Sequence, residues 1–306
     1  MSSVHIKSKP RYDLTFFLFL FPSVFAFIMV IIIPFFMGIY FSFTDWIAIT
    51  GAKTTFVGLK NYFAVLKDVT FLNSFIVTII YAILNIAMIN ICAFFLALLV
   101  TQKLKFSNFY RAGFFLPNLI GGIILGYIWQ FIFNNAIPAF GKLIEFNWLR
   151  ENLFLINRNL AMLAIVAVGT WQYAGYIMMI YVAAIQGIPE SLLEAAEIDG
   201  VSSGQRLRYI IFPLVAPAFT ISMFLTLVNS FKQFDVNYAL TNGGPSGMFM
   251  DRVVMTTEFL ALNIYKSAFA YNQLAQGQAK AVIFFIVLAA ISIIQVRANK
   301  KREIEM

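Results

Sequence analysis

Residues 187–217 read GIPESLLEAAEIDGVSSGQRLRYIIFPLVAP and interrupt two strongly apolar segments with a polar stretch. Pro189 suits the first position of a helix, where its missing N–H is not needed, and Glu190 and Glu194 complement the positive helix start. Gly200 can end that helix in the left-handed conformation that a Cβ resists. A short helix is therefore predicted from roughly Pro189 to Asp199. After a turn through Gly200 and Val201, Ser202 or Ser203 can cap a second short helix carrying Arg206 and Arg208, and Pro213 opens the next apolar run. The expected product is two brief helices lying across one membrane face, a shape suited to docking.

The segments on either side define the class. The chain is 61% hydrophobic and only 12% charged, with a mean hydropathy of +0.82, whereas soluble domains carry about 25% charge. A membrane span needs about 20 mostly apolar residues. Six stretches qualify, near 15–41, 71–100, 114–133, 159–185, 209–231 and 279–296. The expectation is an all-α integral membrane protein with six transmembrane helices, forming a single domain over 1–306 with the docking loop at 187–213. The first run holds Pro22 and Pro34 and is long for one crossing, so tilt, a kink or an interfacial end is expected. It is too long for a secretory signal and reads as a retained helix.

The net charge of +8 does not point to nucleic acid, because the basic residues stand at the ends of apolar runs rather than in one patch. Twelve of them, Lys7, Lys9, Arg11, Lys103, Lys105, Arg111, Arg206, Arg208, Arg297, Lys300, Lys301 and Arg302, fall on one side of a six-span topology. Nine, Lys53, Lys60, Lys67, Lys142, Arg150, Arg158, Lys232, Arg252 and Lys266, fall in the longer loops of the other. The denser side is cytoplasmic, which places both termini and the docking loop inside a multi-pass cell-membrane protein.

Several chemistries are excluded. Cys92 is the only cysteine and His5 the only histidine, which removes disulfide frameworks, cysteine metal clusters and most general-base schemes. No G-x-x-x-x-G-K-[ST] phosphate loop occurs, so this chain itself is not expected to hydrolyse a nucleoside triphosphate. No catalytic or metal-ligating set is expected. The middles of the spans show no carboxylate, and Asp235 and Lys232 are placed near a span end, where snorkelling accounts for them.

A polar stripe marks the fifth span. Ser222, Thr226, Asn229, Ser230, Gln233 and Asn237 recur at intervals of three and four, so they share one helical face. Neutral donors and acceptors suit sugar hydroxyls, and equally suit hydrogen bonds between helices. Span four offers Trp171, Gln172, Tyr173 and Tyr176, as stacking faces or interfacial anchors. Gly122 and Gly126 have the spacing of a close-packing pair. Ser74, Thr78, Tyr81 and Asn85 form a weaker stripe on span two.

Glu194-Ala195-Ala196, Asp199-Gly200, Ile211, Pro213 and Pro217 resemble the EAA loop of permease subunits of ABC importers. Further resemblance runs through Phe56-Val57-Gly58-Leu59-Lys60-Asn61-Tyr62, Tyr110-Arg111, Phe115-Leu116-Pro117, Thr170-Trp171 and Leu240-Thr241-Asn242-Gly243-Gly244-Pro245. Covering about 15–296, the pattern is similar to the first of two permeases in oligosaccharide and glycerol-phosphate uptake systems.

The resemblance implies the type I ABC importer permease fold, with Glu194, Ala195, Ala196, Asp199 and Gly200 coupling to an ATPase. It places sugar contacts at Asn118, Gly122, Gln172, Tyr173, Tyr176, Thr226, Asn229, Ser230 and Gln233. It further implies a second homologous permease, two ATPase subunits that hold ATP and Mg, an extracellular solute-binding protein, and no cofactor or catalysis in this chain. The competing class is an ion-coupled secondary carrier, which calls for charged groups at mid-membrane.

Overall fold

The computed structural model describes residues 14–47, 54–102 and 105–300. His5, Lys7, Lys9, Arg11, Lys53, Lys103, Lys301 and Arg302 lie outside the described residues.

The first long helix, α1 (Phe16–Ser42), runs unbroken through Pro22 and Pro34. It contains a wider π turn at Ile28–Ile32, in which Ile33 N–H bonds Ile28 O. Pro34 has no N–H to give to the preceding turn, and the shifted rung beside it absorbs the defect. Most of its residues are exposed and none of its most apolar window is buried, whereas Ser42 at its end is buried and hydrogen-bonded to Tyr62.

Short α2 (Lys60–Leu66) leads to α3 (Val69–Val100). Asp68 caps α3 by accepting from Thr70 N–H at 2.9 Å. Next come α4 (Ser107–Phe115), a 3-10 turn at Leu116–Leu119, α5 (Gly122–Leu143) and α6 (Asn147–Glu151). The expected third span over 114–133 is thus displaced toward 122–143. Pro117 and the pair Gly121-Gly122 break the helix, with Ile120 and Gly121 in extended conformation, and hydropathy averages across that break.

Helix α7 (Arg158–Gln186) starts at Asn157, whose side chain accepts from Asn159 and Leu160 N–H. It packs along α3 as the central pair of the molecule. Around them sit two cores: Ile89, Ala93 and Ala97 against Ile177, Met178 and Tyr181, and Val77 and Tyr81 against Ile165, Val168 and Phe259. Small residues at this seam let the backbones approach. A Cβ on Gly169 would lie 2.8 Å from the Tyr81 hydroxyl; on the side of α7 that meets α4, one on Gly175 would lie only 1.8 Å from the Phe114 carbonyl oxygen.

The docking loop supplies α8 (Glu190–Ile198) and α9 (Ser203–Leu214), and α9 meets α10 (Ala216–Phe231) at a bend of 67°. Pro213 and Pro217 each remove a ladder donor there. Taken as one bent span, α9 and α10 complete the six crossings, alongside five single helices. Then follow α11 (Asp235–Leu240), strands β1 (Ser246–Phe249) and β2 (Arg252–Met255), α12 (Leu260–Tyr265) and α13 (Leu274–Lys300). The antiparallel hairpin pairs Ser246 with Met255 through Phe249 with Arg252, and adds a small β element to an otherwise helical chain.

At the Val69 end of the bundle, a buried network joins loops and spans. Lys280, 3% exposed, donates to Asp68, Asn263 and Ser267 at 2.8–2.9 Å. Asn263 donates to Glu258, and Glu258 in turn pairs with Lys266 at 2.8 Å.

Candidate functional site

Two helix breaks meet inside the bundle. Helix α5 starts at Gly122 and α11 at Asp235, and the two starts touch: a Cβ on Gly122 would lie 2.6 Å from Asp235 Cβ, and one on Gly126 the same distance from Ala239 Cβ. The glycine pair therefore provides close packing, and its partner is the short α11. Gln172 on α7 donates to the Ile120 carbonyl at 3.3 Å, satisfying part of the backbone that the break leaves open. Asn118 sits half-buried on the 3-10 turn just before.

Depth follows from α7. Its 29 residues span roughly 43 Å at about 1.5 Å per residue, more than the hydrocarbon thickness of about 30 Å. Tyr173 lies halfway along it, its neighbour Gln172 bonds the Ile120 carbonyl just before the start of α5, and that start at Gly122 abuts Asp235. Asp235 is exposed at this middle level. Asp235 stands near the end of α10 at Phe231, as expected, but α10 has only 16 residues, so this end lies level with the middle of α7 and α11 continues from there.

The polar stripe of the fifth span is largely spent on neighbouring spans. Asn90 donates to Thr226 at 3.1 Å and Asn85 to Ser230 at 2.9 Å. Tyr181 donates to Asn90 at 2.6 Å and shares a hydrogen bond with Ser222. Gln233 reaches the Tyr81 hydroxyl, and Asn237 donates to Thr257 O at 2.7 Å. Thr226, Ser230 and Gln233 are buried, and Asn229 is half-buried with no side-chain hydrogen bond among the described residues. Such interhelical bonds are worth about 0.6 kcal/mol each on average, so the row steadies the packing of α3, α7 and α10.

The sequence-predicted sugar positions therefore divide in space. Gly122 and Gln172 meet at the junction of α5 and α11, Tyr173 follows Gln172 on α7, and Asn118 stands on the 3-10 turn before the break. Tyr176, half-buried one turn along α7, lines a separate cavity of about 960 Å³ with Asn108, Arg111, Phe115, Met179 and Pro217.

The docking loop has the expected form with one shift: Pro189 caps α8 from outside (ψ 129°) instead of opening it. Gly200 adopts φ +71°. Its N–H bonds Glu197 O and the Val201 N–H bonds Ala196 O, closing a Schellman turn. Ser202 and Gln205 then form a reciprocal capping box. Ala196 is buried, while Glu194, Ala195, Asp199 and Gly200 are exposed. Ile198 is 86% exposed, an apolar side chain presented outward on a rigid knuckle. Among the described residues no cluster of His, Cys, Asp and Glu could hold a metal ion.

Sequence reasoning missed Lys280 and its network. The available signal was a lone basic residue inside an apolar run, belonging to neither charged loop set.

Comparison with known proteins places this architecture. Residues 89–303 match the family of binding-protein-dependent transport system inner membrane components. The chain is 46% identical to the probable starch degradation products transport system permease protein AmyD of Thermoanaerobacterium thermosulfurigenes, over 94% of this chain and 95% of that protein. It is 34% identical to the sn-glycerol-3-phosphate transport system permease protein UgpA of Agrobacterium fabrum, covering 82% and 83%. Its fold is similar to a chain of a bacterial ABC transporter involved in import of the acidic polysaccharide alginate, with a TM-score of 0.78, 16% identity and coverage of 94% and 95%. Given the match over most of its length and the relatives named as permeases, the chain belongs to the binding-protein-dependent transport family, as a multi-pass inner-membrane permease component of an ABC importer.

Proposed function

We propose that this chain forms half of the translocation pathway of an ATP-driven saccharide importer, most suited to an oligosaccharide. It pairs with a second homologous permease, receives solute from an extracellular binding protein, and is moved by two ATPase subunits that carry ATP and Mg. The observation that carries this reading is the elbow: α8 keeps Ala196 buried, turns at Gly200, and holds Glu194, Ala195 and Ile198 outward where a separate subunit can grip them. Closure of the ATPases would displace this knuckle, and α7, α9 and α10, to which it is joined, would carry the motion to the junction of α5 and α11. Helices broken at mid-membrane are where transporter folds commonly place substrate. The basic-residue bias supports a cytoplasmic elbow and cytoplasmic termini.

The similarity to AmyD, named for starch degradation products, favours an oligosaccharide. UgpA, named for glycerol 3-phosphate, is less similar. Asn118, Gly122, Gln172 and Tyr173 supply hydroxyl-binding and stacking groups at the junction, Asn229 and Tyr176 extend the path, and Thr226, Ser230 and Gln233 support it from behind.

An ion-coupled carrier would draw on Asp235, the exposed carboxylate at mid-depth. The elbow has no task in such a carrier. Reconstitution decides between them: malto-oligosaccharide uptake into proteoliposomes should require the binding protein and ATP on the elbow side. Uptake by this chain alone, driven by an ion gradient, would overturn the proposal.

A further inference from the structure

Asp235 carries an inference about selectivity, which rests on the reading that the junction of α5 and α11 lines the pathway. Its side chain is exposed and abuts the start of α5 at Gly122, level with Gln172 and Tyr173 on α7. A charged side chain at that depth does not face lipid and instead meets water or protein. No hydrogen bond or ion pair holds it among the described residues. Lys232, three residues earlier at the end of α10, is also exposed and forms no ion pair with it, so the charge is not neutralised in place. The start of α5 at Gly122 abuts Asp235, so the carboxylate stands at the positive end of that long helix.

We propose that Asp235 is a charge-selective element of the pathway, accepting hydrogen bonds from the hydroxyls of an uncharged saccharide and opposing the passage of anionic ones such as uronate oligomers or phosphorylated polyols. An ionised carboxylate is an acceptor only, with two oxygens that match a pair of adjacent hydroxyls. The same charge repels a uronate or phosphate within a few ångströms, and in a cavity walled by apolar helices that repulsion is far stronger than in bulk water. The polar side chains nearest the junction on α7 and the 3-10 turn, Asn118, Gln172 and Tyr173, are neutral and bind hydroxyls without adding charge.

The test reads local potential and so bypasses the binding protein's own selectivity. In the complete transporter carrying Cys92→Ser, a probe thiol is introduced as Gly121→Cys. A Cβ there meets nothing within 4 Å, and the backbone (φ −59°, ψ 133°) suits any residue. Rates of modification by cationic and anionic methanethiosulfonates of similar size are compared in membranes. The cationic reagent should be favoured, and Asp235→Asn should lower the cation-to-anion ratio by about tenfold, while Asp235→Glu preserves it. Modification with a ratio that Asp235→Asn leaves unchanged overturns the charge filter but leaves the pathway reading standing. Failure of both reagents to reach the probe thiol overturns the pathway reading itself, and the filter with it.

Discussion

Replacing Gly200 by valine isolates the elbow from everything around it. Gly200 holds φ at +71° and an added Cβ would meet nothing within 4 Å, so the cost is torsional and not steric. A residue with a Cβ in the left-handed region costs about 1–2 kcal/mol, and a β-branched residue belongs at the upper end. No packed side chain is displaced. Membrane insertion and the thermal unfolding midpoint should therefore stay near the parent's. What shifts is the balance between the turned elbow and an opened one, by about 5–30-fold for that energy. The assay is ATP-driven uptake and binding-protein-stimulated ATP hydrolysis by the full transporter in proteoliposomes. Gly200→Val should depress uptake by up to that factor, whereas Gly200→Asn, which enters the left-handed region readily, should remain close to the parent. Gly204→Ala, at a helical glycine also facing open space, is the control and should change nothing. Parent-like uptake with valine would refute the reasoning. So would equal losses with valine and asparagine, because the effect would then not be torsional.

Gly175→Ala places a methyl 1.8 Å from the Phe114 carbonyl oxygen, where backbone cannot yield; it should lower stability by about 1–3 kcal/mol or more, read as a reduced unfolding midpoint in detergent. Lys280→Met leaves Asp68 and Asn263 without their shared donor and should cost about 1.5–3 kcal/mol by the same measurement. Asp68 is partly desolvated, which would raise its carboxyl, but the hydrogen bonds from Lys280 and Thr70 prevail and hold it below its usual 3.8. Its contribution is then fully present above about pH 4 and fades as pH falls through the lowered value. Asp68→Asn should flatten the unfolding midpoint's acid dependence, and an unaltered profile would show that the pair does not titrate this way.

The elbow was legible because its form depends on local chemistry: a glycine that must take a positive φ, a serine three residues before a glutamine, and prolines that stop a ladder. Even there Pro189 moved by one position, since nothing in its own sequence fixes whether it caps or opens the helix. The six crossings followed from hydropathy, yet the third slid along the chain, because averaging over a window hides the break at Pro117 and Gly121. The depth of Asp235 was not legible at all. It depends on where α10 stops relative to α7, a tertiary fact, and in the sequence Asp235 reads as the end of an apolar run. The stripe from Ser222 to Asn237 was visible as a stripe, but its partners Asn85, Asn90 and Tyr181 lie on other helices. The hairpin gave no signal because its turn is Met250-Asp251, both with positive φ, in place of the usual Asn-Gly.

The central claim is that the knuckle formed by α8 is gripped by a foreign motor. In a Cys92→Ser background, the exposed Ile198→Cys can be joined by a short bifunctional reagent to whatever protein lies within reach in native membranes. The account predicts one dominant adduct with a nucleotide-hydrolysing subunit, and protection of the thiol from impermeant reagents applied outside. Ready labelling from outside, or no adduct with such a subunit, would contradict it.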